Sequence, residues 1–372
     1  MGHYIQAVTI RWFNACACYT LALAQGLVAS GHRATIVAGA GSPVLEEARK
    51  RGLDVLEGSY TGSLNPVAYL RDRAVFRQFA RGKDATLVNV HTGADHAVWA
   101  LALAGTGIPI VRTSGNRLPP KVNPGAKFLM KRTAGIIASC RTIQEYYAGL
   151  FHTDRSRIPV INGGIDSTQF SPDYPRNRLR ASLGIPGDAF TFGMVARYSP
   201  VKGHRYFFKA AGMVAERNPA VRFVVSGWDA EMTENDIRSM ADKAGILDRT
   251  VIIGRQLDIR DLLGTLDAGV IASVGSETVC RIAMEYMAMG IPVVGTDINV
   301  VPEIIRDGES GFIVPAGDAK AMAAAMEHLL ESNDRARSLG QRGRSIIESD
   351  YSLEAFAQKT LDAYGSMTAH VS

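Results

Sequence analysis

The sequence has few cysteines and no long uninterrupted apolar run. Four cysteines among 372 residues are too few for a disulfide-stabilised scaffold. The longest apolar run, Val98–Val111, is interrupted by Gly105, Gly107 and Pro109, so it is too short to span a bilayer. The start lacks a basic segment, and Arg11 interrupts its apolar stretch, so no signal peptide is predicted. We therefore expect a cytoplasmic protein.

Patterns typical of nucleic-acid, metal or dinucleotide binding are also missing. No basic run or alternation of aromatic and basic residues accompanies the positive charge, so nucleic acid is not an expected partner. Cys16 and Cys18 are too close for a usual zinc pair and are interpreted as structural thiols. Neither a Walker motif nor a full Gly-x-Gly-x-x-Gly motif occurs. We expect no metal and no cofactor.

The length and composition predict two globular domains with unequal charge. Apolar residues make up 47% of the 372, enough for each domain to bury its own core. Residues 1–170 contain 19 lysines and arginines against 10 acidic residues, a net charge of +9, while the remainder contains 22 against 26. The basic half indicates an anionic partner, either a membrane surface or a phosphorylated glycan. An ordinary solvated surface remains an open alternative.

Short β-rich segments alternate with helical segments along the whole chain. The predicted strands are Ile5–Ile10, Ala34–Ala38, Leu87–Val90, Pro109–Thr113, Ile136–Ser139, Ile158–Ile161, Phe190–Ala196, Val221–Ser226, Val251–Ile253, Ala268–Ala272, Pro292–Gly295 and Phe312–Val314. Predicted helices Cys18–Ala29, His204–Arg217 and Val279–Met289 each precede a glycine or Asn-Pro stop signal. This alternation predicts an α/β fold of two doubly wound Rossmann-like domains.

A polar, proline-rich segment near the middle is the predicted domain linker. It covers residues 166–178 and shows no helical or strand periodicity. The predicted domains are residues 1–168 and 169–350. Since ligands of open α/β sheets bind at the carboxyl ends of the strands, two facing domains would form a cleft with a site on each wall.

The first candidate binding segment, Ser273–Glu285, follows a predicted strand and enters a predicted helix. Glu277 precedes that helix, and Glu285 is expected more than two turns into it. Backbone N–H groups near Thr278–Cys280 and the positive helix end suit a phosphate, while the two carboxylates suit the hydroxyls of a sugar and a ribose. A capped amphipathic helix with one solvated glutamate explains the spacing equally well.

The second candidate segment, Gly193–Gly203, also follows a predicted strand. Its turn carries Arg197 and Lys202, which together can neutralise a diphosphate. Two cations beside a helix start would stabilise the negative charge that grows on a leaving nucleotide. The alternative is a basic surface loop.

These segments resemble the nucleotide-sugar half of retaining glycosyltransferases of family 4, which have the two-domain GT-B fold. The resemblance is carried by residues 160–166 (VINGGID), 195–203 (VARYSPVKG), 273–285 (SVGSETVCRIAME), 288–294 (AMGIPVV), 300–305 (VVPEII) and 307–314 (DGESGFIV). Residues 351–364 are similar to the family's last helix, which crosses back onto the first domain. The first domain is accordingly predicted to include residues 351–372.

The resemblance implies a role for each matching residue. Arg197 and Lys202 would bind the donor diphosphate as catalytic residues, and Glu277 would hold the sugar hydroxyls. The implied donor-binding residues are Glu285 at the ribose and the backbone of Thr278, Val279 and Cys280 at the phosphate. Gly193, in the segment that carries Arg197 and Lys202, and Arg255, near the base, complete this set. The family needs no metal for this reaction.

The first half departs from the family pattern. Instead of paired glycines after the first strand, the sequence reads Arg-Trp-Phe-Asn-Ala-Cys-Ala from Arg11, and no histidine follows the strand at Pro109–Thr113. His91 is the candidate catalytic histidine, at another strand end, although a structural role is the commoner fate of such a residue. The acceptor-side candidates are Asn14, Asp95 and Arg112, the last offering charge where the family offers histidine.

The resemblance therefore predicts a retaining hexosyltransferase with a nucleoside-diphosphate sugar donor and a glycan or glycolipid acceptor, of the lipopolysaccharide or surface-polysaccharide type. Two alternatives stay open: a nucleotide-sugar epimerase of the same fold, and a non-catalytic sugar-nucleotide-binding protein. Five cations surround Phe128 and Leu129, namely Lys121, Lys127, Lys131, Arg132 and Arg141. They predict peripheral binding at the inner face of an anionic membrane. Burial of these apolar residues in the core is the alternative.

Overall fold

The structure, a computed structural model, describes residues 1–59, 66–175, 179–256, 258–275 and 277–369. The chain divides into two compact units. Unit 1 is Met1–Gly164 together with Tyr351–Ser372, and unit 2 is Ile165–Asp350.

Unit 1 is built on a six-stranded parallel sheet. Its strands are β1 His3–Ala7, β2 Arg33–Gly39, β3 Asp54–Gly58, β4 Leu87–Val90, β5 Ile110–Ser114 and β6 Gly135–Ala138, in the order β3-β2-β1-β4-β5-β6. Its helices are α1 Ala15–Ala29, α2 Pro43–Lys50, α3 Pro66–Gly82, α4 Gly93–Ala102, α5 Pro124–Met130 and α6 Arg141–Phe151, joined late in the chain by α14 Leu353–Thr368. Because the strand order reverses between β1 and β4, their carboxyl ends form the switch point where doubly wound sheets bind ligands.

Unit 2 repeats this architecture. Its strands are β7 Thr191–Val195, β8 Arg222–Ser226, β9 Thr250–Ile253, β10 Ala268–Ile271, β11 Val293–Thr296 and β12 Gly311–Val314, in the order β9-β8-β7-β10-β11-β12. Its helices are α7 His204–Arg217, α8 Glu234–Lys243, α9 Ile259–Leu263, α10 Arg281–Ala288, α11 Val301–Ile304, α12 Ala319–Leu330 and α13 Asn333–Ile346. The switch point here lies between β7 and β10. The predicted α/β fold with two doubly wound sheets is confirmed.

Each unit has its own apolar core. In unit 1, the rings of Phe76 and Trp99 stack with centroids 4.7 Å apart between α3 and α4. In unit 2, Phe192, Phe207 and Phe223 form a buried aromatic group between the sheet and α7. Sheets covered on both faces need such continuous apolar strands, which explains why the strand pattern was readable in the sequence.

Two strand predictions need correction. Strand β3 was missed because Asp54–Gly58 carries two acids and is only partly buried at the sheet edge. The predicted strand Ile158–Ile161 is wrong, since this segment makes only a parallel bridge between Val160 and Ala138. Pro159 has no N–H to donate, which limits pairing in the middle of the segment.

The segment predicted as the domain linker is bound to unit 2. Arg344 on α13 donates from Nη1 to the carbonyl oxygens of Ser167 and Phe170, at 2.8 and 2.6 Å. Ile165 and Phe170 are buried. Unit 2 starts at Ile165, a few residues before the predicted boundary at residue 168. Residues 176–178 of the predicted linker lie outside the described ranges.

The helices of both units are short or carry many polar residues. Among those in the described ranges, not one combines the length and the apolar character needed to cross a membrane.

Helix α14 packs closely on α1 within unit 1. The space around Gly26 in this contact and around Gly149 on α6 predicts opposite effects for substitutions of the two glycines. A Cβ atom at Gly26 on α1 would lie 2.3 Å from the carbonyl oxygen of Leu353, whereas one at Gly149 on α6 would meet nothing within 4 Å. Gly26→Ala should therefore destabilise the protein by about 1–3 kcal/mol through overpacking. Gly149→Ala should stabilise it by about 0.5–1 kcal/mol through helix propensity.

Thermal denaturation of the two variants beside the wild-type protein measures both signs. A rise in melting temperature for Gly26→Ala would contradict the close helix contact.

Candidate active site

Two loops meet at the switch point of unit 2. One follows β7 and contains a 3₁₀ turn, Pro200–Lys202, and the other follows β10 and leads to α10. The backbone N–H of Val274 donates to the carbonyl oxygen of Val201 at 2.9 Å. The two sequence segments predicted as binding motifs are thus joined, although 69 residues separate them.

Lys202 and Glu277 form an ion pair between these loops. The Glu277 side chain is only 7% exposed and also accepts a hydrogen bond from the Ser273 hydroxyl at 2.5 Å. A buried carboxylate requires such compensation, because its desolvation is costly. The ion pair therefore brings together one predicted phosphate ligand and the predicted sugar ligand.

Two helices start beside this pair without a side-chain cap. The N-cap residue of α7 is Gly203 and that of α10 is Cys280, and both have left-handed backbone conformations, with φ of 75° and 43°. Neither provides a side-chain hydrogen bond to the first turn. Helix starts of this kind attract anions through their N–H groups and the helix dipole.

The start of α10 differs from the prediction. The helix begins at Arg281, so Thr278, Val279 and Cys280 lie in the loop before it. Glu285 is consequently the fifth helical residue. It lies about one turn inside the helix, and the prediction of more than two turns is wrong. The cause is the left-handed conformation at Cys280, which a sequence pattern does not reveal.

Glu285 is buried and paired with a residue that the sequence analysis did not single out. It accepts a hydrogen bond from Nε of Arg281 at 2.6 Å. Burial raises the pKa of Glu285, while the charge of Arg281 opposes this rise. The i,i+4 spacing of Arg281 and Glu285 is the sequence signal that would have found the pair.

Arg197 lies in the β7 loop but points to a different partner. Its guanidinium lies 3.7 Å from the carboxylate of Glu231, which also accepts a 2.9 Å hydrogen bond from the Ser199 hydroxyl. About 41% of the Arg197 side chain is exposed, so it can reorient at low cost. Glu231 was not expected from the sequence.

Gly193 and Arg255, the other predicted donor ligands, lie apart from the ion pair. Gly193 is buried within β7, and a Cβ there would lie 2.2 Å from the side chain of Leu266. Packing therefore accounts for this glycine. Arg255 is exposed after β9, with its guanidinium carbon 5.1 Å from the ring centroid of Trp228. Trp228, 45% exposed after β8, is an aromatic surface that the sequence analysis missed.

In unit 1, His91 lies at the carboxyl end of β4 inside a buried polar network. Its Nε2 lies 3.0 Å from Oε1 of Gln6, which also accepts from Asn89 at 3.0 Å. Nε2 of His91 also lies 3.3 Å from Nδ2 of Asn89, so this ring nitrogen faces both an amide oxygen, which accepts, and an amide nitrogen, which donates. Gln6 in turn donates to the hydroxyl of Tyr364 on α14 at 3.3 Å. Burial lowers the pKa of His91 to about 3, with the charge of Arg112 adding to the shift, so its imidazole is neutral.

Asn14 and Asp95, two acceptor-side candidates, act as helix caps. Asn14 caps α1 by accepting from the N–H groups of Cys16 and Ala17, at 2.9 and 3.2 Å. Asp95 forms a capping box with Thr92 at the start of α4. Any contact with a ligand would be additional to these structural roles.

Arg112, the third candidate, is buried on β5. Its residue surface is 4% exposed, and within the described ranges its Nη1 atom has no hydrogen-bond partner.

Among the described residues, no group of three or more His, Cys, Asp or Glu side chains is arranged to hold a metal ion. The cysteines in these ranges form no disulfide, and burial raises the pKa of the Cys16 thiol to about 12. Cys16 is therefore an unreactive structural thiol at neutral pH.

Two family models match the chain, one falling largely in each unit. The model described as Glycosyl transferases group 1 matches residues 175–346, and that described as Glycosyltransferase Family 4 matches residues 17–169. The chain belongs to glycosyltransferase family 4. The recognition made from the sequence motifs is confirmed.

Curated relatives agree with this family membership. The chain is 32% identical over 191 residues to EpsD of Bacillus subtilis, a glycosyltransferase by name, covering 50% of this chain and 49% of EpsD. It is 26% identical over 279 residues to a D-inositol 3-phosphate glycosyltransferase of Mycobacterium marinum, covering 72% of this chain and 59% of that protein. It is 27% identical over 249 residues to the lipopolysaccharide core biosynthesis mannosyltransferase LpsB of Rhizobium meliloti, covering 65% of this chain and 68% of LpsB. The alignments thus span about half to two thirds of these relatives.

Solved structures share the fold of this family 4 glycosyltransferase. A glycosyltransferase from Rickettsia africae superposes with a TM-score of 0.86 at 20% identity, covering 98% of each chain. Anabaena HepE in complex with UDP superposes with a TM-score of 0.83 at 18% identity, covering 98% of this chain and 100% of that one. At these identities the likeness establishes the GT-B fold alone.

Proposed function

We propose that this glycosyltransferase moves a hexosyl group from a nucleoside-diphosphate sugar to an acceptor hydroxyl, with retention of configuration and without a metal ion. The observation that carries the proposal is the Lys202–Glu277 ion pair between two uncapped helix starts. This arrangement offers positive charge and N–H donors to a diphosphate, and a carboxylate to sugar hydroxyls, within one loop pair.

The donor diphosphate would be neutralised by Lys202 and by Arg197 after it leaves Glu231. Both are side-chain cations in the loop after β7, next to the start of α7. Fixed cations and N–H groups stabilise the charge that develops as the diphosphate departs. Anabaena HepE, which shares the fold, forms a complex with UDP, and a nucleotide donor for this chain is consistent with that complex.

The proposed reaction is a front-face displacement. The bond between the anomeric carbon and the diphosphate oxygen breaks, and a bond to the acceptor oxygen forms on the same face of the sugar. The acceptor proton passes to the departing diphosphate oxygen. The protein contributes positioning and electrostatic stabilisation, so no carboxylate nucleophile is needed.

The proposed biological role is the synthesis of a bacterial cell-surface glycan or lipopolysaccharide core. LpsB of Rhizobium meliloti carries such a role in its name, and the structural neighbours include the lipopolysaccharide outer core galactosyltransferase WaaB. An epimerase would convert a nucleotide sugar without an acceptor. Product analysis with and without acceptor separates that activity from transfer.

We propose that the enzyme is a peripheral membrane protein that binds the membrane surface through α5. This short helix contains no buried residue, and Phe128 on it is 45% exposed. The Arg132 guanidinium lies over the Phe128 ring at 4.5 Å, and Leu118 nearby in sequence is 66% exposed. These exposures favour the surface alternative for Phe128, whereas Leu129 is partly buried against the core of unit 1. Exposed apolar side chains among cations are typical of helices at anionic bilayers.

Neutralising either diphosphate ligand should slow transfer. Arg197→Ala and Lys202→Ala should each lower turnover by ~10²–10³, as the loss of a transition-state donor does. Nucleotide binding should weaken as well, because the ground state already carries the charge. Steady-state rates over a panel of nucleotide sugars give the measurement, and Lys209→Ala, an exposed lysine on α7, is the matched control. Near-normal turnover in both variants would refute the assignment.

The two glutamates should separate sugar recognition from ribose recognition. Glu277→Gln should impair binding of the nucleotide sugar far more than that of the bare nucleotide, since it also releases Lys202 for the diphosphate. Glu285→Gln should weaken both ligands alike. Calorimetric titration of each ligand tests this. The control is Glu327→Gln on α12, which removes an ion pair with Arg217 at the last residue of α7. Equal effects of the first two substitutions on both ligands would exclude the division of roles.

Membrane binding should depend on charge and on α5. The enzyme should co-sediment with anionic vesicles and not with neutral ones, and binding should fall as salt rises, because the Debye length is only ~10 Å at 0.1 M. The double variant Lys127→Glu/Lys131→Glu should bind less than Lys50→Glu, an exposed control on α2. An absence of binding at low salt would leave the basic unit to be explained by a soluble anionic acceptor.

A further inference from the structure

Arg112 is a buried cation whose charge is not balanced in the way that buried charges usually are. It lies on β5 with 4% of its surface exposed, and in the described ranges its Nη1 has no hydrogen-bond partner. Removing a guanidinium from water without a partner is costly, and such groups are retained where a ligand completes them. The other buried arginine in the described ranges, Arg180 of unit 2, shows the usual arrangement, with Asp267 and three carbonyl oxygens around its guanidinium.

Arg112 lines a pocket of 560 Å³ within unit 1. The pocket is enclosed by α4, α5, α6 and the loop after β5. Its lining contains the further cations Arg117 and Lys121, and no aspartate or glutamate among the described residues. Both of these cations are exposed at the rim, whereas Arg112 is buried. Three cations without an acidic residue suit a dianionic group better than a single carboxylate.

The titratable neighbours of Arg112 do not satisfy it. Asp95, which like Arg112 influences the Cys16 thiol, already accepts from the N–H groups of Thr9 and Thr92. His96 lines the same pocket, and burial lowers its pKa to about 3, with Arg112 adding to the shift, so it is neutral. His91 is neutral for the same reasons.

The tautomer of His96 follows from its hydrogen bonds. The Thr133 hydroxyl gives its only proton to the carbonyl oxygen of Leu129 at 2.8 Å, so Nε2 of His96 donates to Thr133 at 2.7 Å. Its Nδ1 is therefore an acceptor, suited to a hydroxyl of a ligand. The pocket lining thus combines a buried cation with a neutral histidine that carries an acceptor nitrogen.

We propose that this pocket binds a phosphate monoester carried by the acceptor, with Arg112 as its buried ligand and Arg117 and Lys121 at its rim. The proposal rests on the acceptor-dependent transfer proposed above, whose donor groups lie in unit 2. The phosphate belongs either to a sugar or to a lipid headgroup, and both present the same chemistry to Arg112.

Thermal shift of the full chain tests the site with defined probes. Glucose 6-phosphate should raise the melting temperature in a concentration-dependent manner, and glucose should not. Dihexanoyl phosphatidic acid below its micelle concentration, compared with dihexanoyl phosphatidylcholine, tests the lipid headgroup without a membrane surface. A shift with glucose 6-phosphate alone assigns the phosphate to a glycan, and a shift with phosphatidic acid alone assigns it to a lipid. Glucuronate tests a carboxylate, and an equal or larger shift with it would overturn the phosphate assignment.

Arg112→Met separates a ligand role from a structural role. Because the substitution removes an unpaired buried charge, the melting temperature without ligand should stay the same or rise. Affinity for the phosphate probe should fall by at least roughly tenfold, as expected for a lost charge-assisted hydrogen bond. Arg117→Gln should weaken it less, and Arg81→Gln, an exposed residue of α3 outside the pocket, should not change it.

UDP binding by the same variants distinguishes this proposal from the proposed function. Wild-type protein that binds UDP but none of the phosphate probes would overturn the pocket assignment and leave the donor site standing. Wild-type protein that binds the phosphate probe through Arg112 but no nucleotide would support the pocket and refute the donor proposal. Unchanged probe affinity in Arg112→Met would also overturn the pocket assignment. Should that variant fail to fold, a loss of probe binding in an Arg117→Gln/Lys121→Gln variant supports the pocket, and retained binding overturns it.

Discussion

The ion pair of Lys202 and Glu277 depends on an unusually close approach of two loops, and the arrangement of unit 2 around its switch point follows from that approach. A Cβ atom at Gly203 would lie 1.8 Å from the carbonyl oxygen of Ala272, so only glycine lets the β7 loop come this near to the end of β10. The positive φ of Gly203 reinforces the requirement. Without the approach, the carboxylate of Glu277 would be buried without a counter-ion. In the proposed function, a bound donor would exchange this ion pair for contacts to its phosphate and hydroxyl groups.

Unit 1 manages its buried polar groups differently. Gln6, Asn89, His91 and Tyr364 are linked by hydrogen bonds in a buried network of uncharged side chains. Arg112, one strand further along, is excluded from that network, since the side chain of its neighbour Thr113 is the one that donates to Asn89. Adjacent residues of β5 therefore face opposite sides of the sheet, one side closed by hydrogen bonds and the other left incomplete.

The fold and the two loops that carry Lys202 and Glu277 were readable in the sequence, because each depends on short apolar strands followed by polar loops, whereas the ion pair between them was not predicted. The start of α10 was not, because the left-handed turn at Cys280 is set by tertiary packing and not by local pattern. The same holds for Gly193, whose motif position suggested a ligand contact while Leu266 packs against it. The partners Glu231 and Trp228 were missed since each lies on a segment without a motif, and Arg281 was missed although it lies within the Ser273–Glu285 motif. The lack of a partner for Arg112 could be found only from coordinates.

The division of unit 1 into two chain segments has a consequence for the order in which the protein can fold. Residues 165–350 are contiguous and can complete their core as soon as they leave the ribosome, whereas unit 1 is made first and completed last, because its helix α14 follows unit 2 in the chain. Until residues 353–368 emerge, the face of α1 that packs against α14 stays uncovered. Gln6 also lacks the Tyr364 hydroxyl to which it donates. The nascent first unit therefore carries an open apolar face throughout synthesis of the second, which is the period when chaperone protection matters most.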